Sequence, residues 1–470
     1  MGVEEQTNME LQSIKIQKLF GQFDYTISLN QAEGITILTG PNGYGKTTIL
    51  NIIYHFFKQN FFYFKRLVFE NIVFYFSKNK SVTIIKKIHT KDVRIMQNID
   101  GQQRIGFQQR SYIDIHLILK EGEKPIENYI FNTDVENKLF QNLTGLYPSI
   151  RKISPDFLMD SNTGNRIGIE EFILQIPKKA IDIINGFPMN KNQIEQLVSI
   201  FSTVNVFLIK EQRLLKPPKM FNMINNPFNN GSSFSYTIQN YATELRDLIR
   251  QRQAEVFQES QKLDNSFPSR LMLAEKNLSV NEFNERFYAL TEKQKQLQQF
   301  GITISKIEKP EYNSDKADVL AVYLDDAEKK TNFFDDLVTR INLFVTIINE
   351  KKFAYKKISI NSNSGFYFST DKGSTLDLTS LSSGEQEEVV VLYELLFKTH
   401  PNALILIDEP EISLHVSWQK AFVSDLISIS DIKHISFLLA THSPQVVNNR
   451  WDLTTDLYEL ANGQKYMENE

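Results

Sequence analysis

Apolar and polar residues alternate in Ile14-Lys15-Ile16 and again in Tyr25-Thr26-Ile27-Ser28-Leu29, which predicts two antiparallel strands joined by a turn near Gly21-Gln22. Ile35 to Thr39 is a short unbroken apolar run, read as a buried strand, and Lys46 to Phe57 as the helix behind it. Strand-like runs recur between Val68 and Asn132, among them Ile72 to Phe76, Val82 to Ile85 and Ile113 to Leu119. Residues 135 to 200 carry a mostly helical pattern interrupted by Pro155, Pro177 and Pro188. Val204 to Ile209 returns to strand, and Lys216 to Ser235, with Pro217, Pro218, Pro227 and Gly231, reads as a loop. Beyond it, Ile238, Tyr241, Leu245 and Leu248 fall on one helix face, and Phe334, Leu337, Ile341, Phe344 and Ile348 form a longer stripe in 3-4-3-4 spacing. That stripe is expected to pack within a helical lobe, because a protruding coiled coil would want more heptads. Strand signals resume at Ile358.

These patterns predict an α/β fold with a mixed-sheet core and a largely helical insertion. Residues 1–215 would be a first lobe, 216–235 a linker, 236–350 the helical insertion and 351–470 a second lobe. At 470 residues, 41% of them apolar and 23% charged, the chain can bury an extensive core. A formal net charge of −4 gives no global attraction to nucleic acid. The absence of cysteine excludes disulfides, thiolate catalysis and cysteine-ligated zinc. Met1 to Met9 is polar, and no apolar run approaches the roughly 18 residues of a membrane span, so a cytoplasmic protein is expected.

The chemistry is concentrated in short segments. Gly40-Pro41-Asn42-Gly43-Tyr44-Gly45-Lys46-Thr47-Thr48, between a strand and a helix, is the P-loop pattern. Its glycines turn backbone N–H groups toward phosphate, so Asn42, Gly43, Gly45, Lys46, Thr47 and Thr48 are candidate ATP-binding residues; Lys46 reaches the β and γ phosphates, and Thr47 ligates Mg2+. The apolar run Ala403 to Ile407 ends in two carboxylates, which assigns Asp408 to the metal and Glu409 to the attacking water. Leu381-Ser382-Ser383-Gly384-Glu385-Gln386 has capping-box spacing at Ser382 and Glu385 ahead of an apolar run, and so starts a helix.

The same segment resembles the signature motif of ATP-binding cassette proteins, with Ser383 in place of one glycine and Glu385 inserted before Gln386. That resemblance implies that Ser383 and Gly384 face the γ phosphate held by a second subunit, so that two copies clamp ATP between them. His442, following the apolar strand Ile435 to Leu439, falls where such proteins carry a switch histidine. Ser413-Leu414-His415 falls at their D-loop, with His415 replacing the usual Asp. Gln212-Arg213 resembles their Q-loop, which would make Gln212 a ligand near Mg2+; an exposed polar turn explains the same residues equally well.

As a set, the segments resemble an SMC-like ABC/AAA ATPase, and the separation of Lys46 and Ser383, which are 337 residues apart, favours that group over transporter subunits. Asp408 to His415 with Trp418-Gln419, and Ala440 to Gln445 with Asn449 to Asp452, resemble the ATPase subunits of prokaryotic antiphage systems, above all the PARIS ATPase AriA, with the Septu ATPase and the OLD nucleases as relatives. The resemblance covers roughly residues 1 to 60 and 375 to 455. It implies a homo-oligomer of ATP-clamped dimers, as large as a hexamer, holding a separate Toprim-type nuclease effector until a phage-encoded protein triggers release. With 28 residues beyond His442, the effector is expected on another polypeptide. Two alternatives stand beside this one. A DNA-repair ATPase of the SMC type would use Lys351-Lys352-Phe353-Ala354-Tyr355-Lys356-Lys357 to hold DNA, although that cluster also reads as a solvated helix-to-strand junction. In a nucleotide-dependent scaffold, ATP would act mainly as glue.

Overall fold

The computed structural model describes residues 9–99, 102–132, 147–153, 157–162, 164, 166–168, 172, 195–209, 215–216, 235–274, 278–302, 308–351, 353, 355–412 and 416–463. They belong to two compact units, one of residues 1–211, 217–233 and 400–470, the other of 212–216 and 234–399. The division at 399/400 cuts the segment 351–470 that the sequence groups into one lobe. It sets Leu381 to Gln386 in the second unit and Asp408 in the first.

The first unit opens with β1 (Leu11–Leu19), β2 (Phe23–Ser28), β3 (Ile35–Thr39), α1 (Lys46–Phe57) and α2 (Phe62–Arg66), then β4 (Asn71–Phe76), β5 (Lys80–Ile99), β6 (Gln102–Glu121) and β7 (Lys124–Asn132). Six of these strands form an antiparallel sheet in the order β2-β1-β4-β5-β6-β7. Every second residue faces the core: Ile14, Ile16, Ile72, Phe74, Val82, Ile84, Ile115 and Leu117 are all fully buried. Helix α1 packs on this face, with the Phe56 ring stacked on Phe74 at a centroid distance of 3.9 Å.

Residues 150–168 correct the helical expectation for 135–200. β8 (Ile150–Lys152), β9 (Phe157–Asp160) and β10 (Arg166–Gly168) form a three-stranded antiparallel sheet. The physical reason is local: Leu158 and Asp160 are buried while Phe157 is exposed, a period of two, and Gly164 turns the chain in the left-handed region at φ 72°. Pro155, Pro177 and Pro188 lie outside the described residues. α3 (Glu195–Thr203) and β11 (Val206–Ile209) follow the sequence reading.

In the second unit, β12 (Leu215–Lys216) pairs with β13 (Ser235–Tyr236); the expected linker between them lies outside the described residues. Four helices come next, α4 (Thr237–Met272), α5 (Val280–Gln299), α6 (Ala317–Asn332) and α7 (Asp335–Glu350). α5 and α6 share a core of Phe283, Phe287, Leu290, Leu320 and Leu324. Arg286 binds Asp325 at 2.8 Å and Glu328 at 2.7 Å across the same pair. All five residues of the 3-4-3-4 stripe are buried, as a packing face requires. β14 (Lys356–Asn361), β15 (Gly365–Thr370) and β16 (Thr375–Leu376) make an antiparallel sheet against which α4 packs so closely that a Cβ on Gly365 would meet the Ala242 carbonyl at 1.9 Å. α8 (Ser383–Tyr393) closes the unit, its Tyr393 ring stacked on Tyr241 of α4 at 4.5 Å.

The chain then completes the first unit with β17 (Leu404–Asp408), α9 (Val416–Lys433), β18 (Ser436–Ala440), α10 (Pro444–Val447), β19 (Thr454–Asp456) and α11 (Leu457–Asn462). These supply the missing strands of a parallel five-stranded sheet, order β11-β17-β18-β3-β19. Its central residues are buried on both faces, which is why they read as unbroken apolar runs. Leu406 and Leu438 of this sheet join the core that holds α1 and the antiparallel sheet. One helix covered by a parallel and an antiparallel sheet gives the α/β fold with a mixed-sheet core expected from the sequence.

Candidate nucleotide site

The parallel sheet delivers Thr39, Asp408 and Ala440 to the carboxyl ends of β3, β17 and β18, where ligands of open α/β sheets bind. After β3 the backbone turns through left-handed Gly43 and Gly45, both at φ 88°. Gly43 faces open space, whereas a Cβ at Gly45 would meet Leu19 at 3.0 Å and the Phe20 ring at 3.2 Å. Gly45 is also the first boundary residue of α1, which has no side-chain cap. The N–H groups of the first turn therefore have no side-chain acceptor at the cap and carry the positive end of the helix dipole.

Lys46 is buried, and its Nζ donates to the carbonyls of Gly40 (2.7 Å) and Pro41 (3.2 Å) and lies 3.4 Å from His442 Nδ1. Burial pushes its ammonium below the ordinary lysine value, against the pull of Glu409, Asp408, Glu411 and Asp456. Next to it, the Thr47 hydroxyl donates to Asp408 Oδ1 at 3.0 Å. Glu409 holds a left-handed backbone at φ 46°, with its N–H bonded to the Ala440 carbonyl at 2.9 Å. Such a conformation costs on the order of 1–3 kcal/mol in a non-glycine residue and persists where surrounding structure enforces it. Asn42 is exposed beside the loop and Thr48 half-buried in the first turn of α1. Thus Lys46, Thr47, Asp408, Glu409 and His442 come together from three strand ends.

Three residues of this region were given no role by the sequence reading. Glu411 accepts from the Thr441 hydroxyl (2.8 Å) and from the His442 N–H (2.7 Å), tying the turn after β17 to the loop after β18. Buried Gln419 continues the tie, donating to the Glu411 carbonyl at 3.2 Å and accepting from Ser443 at 2.8 Å. Asp456 takes the Thr39 hydroxyl at 3.2 Å and caps α11 through the Tyr458 N–H at 2.7 Å. The one available signal was the density of carboxylates, Glu411 following two residues behind Glu409. Aromatic rings flank the loop as well: Phe23 and Tyr44 lie 5.2 Å apart, Tyr44 and Tyr458 5.6 Å, and the Tyr25 hydroxyl donates to the Tyr44 carbonyl at 2.8 Å.

In the second unit, Ser382 caps α8. Its hydroxyl accepts from the Glu385 N–H at 3.4 Å and Glu385 accepts in return from the Ser382 N–H at 2.8 Å, the full capping box. Lys356 holds the same carboxylate at 2.7 Å. Ser383 and Gly384 occupy the first two helical positions, Ser383 exposed. Gln386 is buried and donates to the Leu381 carbonyl at 2.7 Å, fixing the approach to the helix. Gln212, Arg213 and Ser413 to His415 lie outside the described residues.

A family profile described as the AAA ATPase domain matches residues 9–447. Comparison with curated proteins returned no match. Among solved structures, the chain is similar to the Smc head domain of Pyrococcus furiosus with an extended coiled coil, bound to the C-terminal domain of ScpA, at 12% identity and a TM-score of 0.31, covering 93% of this chain and 91% of that one. It is similar to an SMC head bound to the winged-helix domain of ScpA at 11% identity and a TM-score of 0.32, covering 93% and 90%. For the SMC head domain of Thermotoga maritima the values are 10% and 0.29, covering 93% and 91%.

Proposed function

Since the chain belongs to the AAA ATPase domain family, we propose that it binds ATP with Mg2+ and hydrolyses it to ADP and phosphate at the joined ends of β3, β17 and β18. The observation that carries this reading is the pair of short contacts across strands, Lys46 to His442 at 3.4 Å and Thr47 to Asp408 at 3.0 Å. They join residues that lie hundreds of positions apart in sequence. In this reading the N–H groups of the Asn42 to Thr48 turn cradle phosphate oxygens, and Lys46 exchanges its loop carbonyls for the β and γ phosphates. Thr47 and Asp408 are hard oxygen donors and suit Mg2+, which when bound supplies charge neutralisation at the phosphates. Glu409 accepts a proton from the attacking water, while His442, with its backbone held by Glu411, sits against the γ phosphate. Rings of Phe20, Phe23 and Tyr44 offer stacking surface for the base.

Ser383 and Gly384 would act on the γ phosphate of a second copy, making ATP the clamp of a dimer. The runs Asp408 to His415 and Ala440 to Gln445 support a narrower reading. In it, such dimers build a homo-oligomer that holds a separate Toprim-type nuclease and releases it on a phage-encoded trigger. A DNA-holding role for Lys351 to Lys357 is disfavoured by its own contacts: Lys351 is buried against Glu388 at 3.2 Å, Lys356 is paired to Glu385, and Phe353 is stacked inside on Phe368.

Glu409→Gln tests the site and the clamp together. Turnover should fall about 10²- to 10⁴-fold with ATP binding retained, and ATP should then shift the 54.6 kDa chain to at least twice that mass. Unchanged hydrolysis would remove Glu409 from the mechanism, and ATP binding without any mass shift would remove the clamp.

A further inference from the structure

Away from the nucleotide site, on the long β5–β6 hairpin, two imidazoles and a carboxylate converge. Register places His89 opposite Tyr112, Lys87 opposite Asp114 and Ile85 opposite His116. Asp114 and His116 alternate with Ile115 and Leu117, which are fully buried in the core, so they point from the other face of the sheet. Polar residues on such a face are ordinarily wet. Here Asp114 is 8% exposed and His116 7%.

Each of these two residues also carries a buried polar atom with no hydrogen-bond partner, Asp114 Oδ1 and His116 Nε2. Leaving a buried polar atom unsatisfied costs roughly 1–3 kcal/mol, so an undischarged pair on one face points to a missing ligand. The donor atoms of His89, Asp114 and His116 all lie within 4.8 Å of one another, and His89 Nε2 stands 3.3 Å from Asp114 Oδ2. A tetrahedral ion with bonds of about 2.0–2.1 Å holds its ligand atoms roughly 3.4 Å apart, which this pair already matches. Tyr112 stacks on the His89 ring at 5.2 Å and fixes its plane.

The geometry points to a binding site for a divalent first-row transition cation of the zinc class, held by His89, Asp114 and His116. Two imidazoles select against Mg2+ and Ca2+, which prefer oxygen. The His89 side chain is 42% exposed and gives the ion an entry from solvent. Bound there, the cation would clip β5 to β6 where the hairpin leaves the core.

The test uses the full chain, stripped with chelator and titrated with Zn2+ in excess Mg2+ so that the oxygen-donor site stays occupied. One Zn2+ per chain should bind and raise Tm, and Co2+ should replace it with a visible absorption band. His116→Ala and His89→Ala should each weaken Zn2+ by at least roughly tenfold. Because His89 is half exposed, its variant should keep the metal-free Tm of the parent, separating ligand loss from misfolding. Absence of stoichiometric binding, affinity unchanged in both variants, or displacement of Zn2+ by Mg2+ would each overturn the site.

Discussion

Helix α1 begins at a left-handed glycine with no side-chain cap, whereas α8 begins inside a closed capping box reinforced by Lys356. Both starts lie in segments read as phosphate-facing, yet they use their backbone donors differently. At α1 a glycine in place of a capping side chain costs only about a few tenths of a kcal/mol of helix stability and leaves donors and dipole available to an anion. At α8 the Ser382 and Glu385 side chains take two donors and place a carboxylate at the positive end of the helix, so only the turn of Ser383 and Gly384 remains for a ligand. An anion arriving there meets Glu385, whose charge Lys356 offsets. The first start leaves its donors open to an anion, and the second ties its own down with side chains.

Lys46→Ala should break the contrast most strongly. Truncating a buried charge that pairs with phosphate costs about 2–5 kcal/mol of binding, so a fluorescent ATP analogue should lose affinity by roughly 30- to 5,000-fold. Retained affinity would mean that the loop backbone suffices. Ser382→Ala addresses the other start. Loss of the cap should lower the unfolding free energy by about 1 kcal/mol, read in urea titrations, while ATP affinity of the single chain stays at the parent value. Should stability hold and ATP-driven dimerisation vanish instead, Ser382 serves the ligand rather than the helix.

The smallest expected effect concerns pH. Burial pushes the Glu385 carboxyl up, but Lys356 and the Ser382 N–H and hydroxyl outweigh it and leave the pKa below the ordinary glutamate value. A depressed carboxylate stabilises the folded state above its unfolded pKa, and loses that contribution as pH falls through its folded value. The stability gap between the parent and Glu385→Gln should therefore be full at neutral pH and shrink below about pH 4.3. A gap that widens on acidification would reverse the sign assigned here.

Sequence pattern located the strand, turn and helix around Lys46, the β17 run ending at Asp408 and the strand before His442, because strands buried on both faces leave continuous apolar runs. It also placed the buried stripe of α7. The ties behind the site were invisible to it. Glu411 and Gln419 work through contacts between segments 30 and 24 residues apart, which no local pattern of apolar and polar residues records. Lys351 and Glu388 mislead in the same way, since each looks solvated until the fold buries both. Strands as short as β8, β9 and β10 span too few residues for a period of two to outweigh helical propensity nearby.

Strand β3 (Ile35–Thr39) has two neighbours in its sheet, β18 (Ser436–Ala440) and β19 (Thr454–Asp456), both encoded far downstream of it. At a synthesis rate of about 5–20 residues per second, that gap lasts on the order of 20 to 80 s. Over this interval Ile35, Ile37 and Leu38 emerge from the ribosome with no strand to pair with, while residues 234–399 have time to collapse on themselves. The P-loop is thus translated early and matures late. Newly made chains should pass through a window in which the apolar edge of β3 is a target for chaperones, and the capacity to hold nucleotide should appear only once β18 has slotted between β17 and β3.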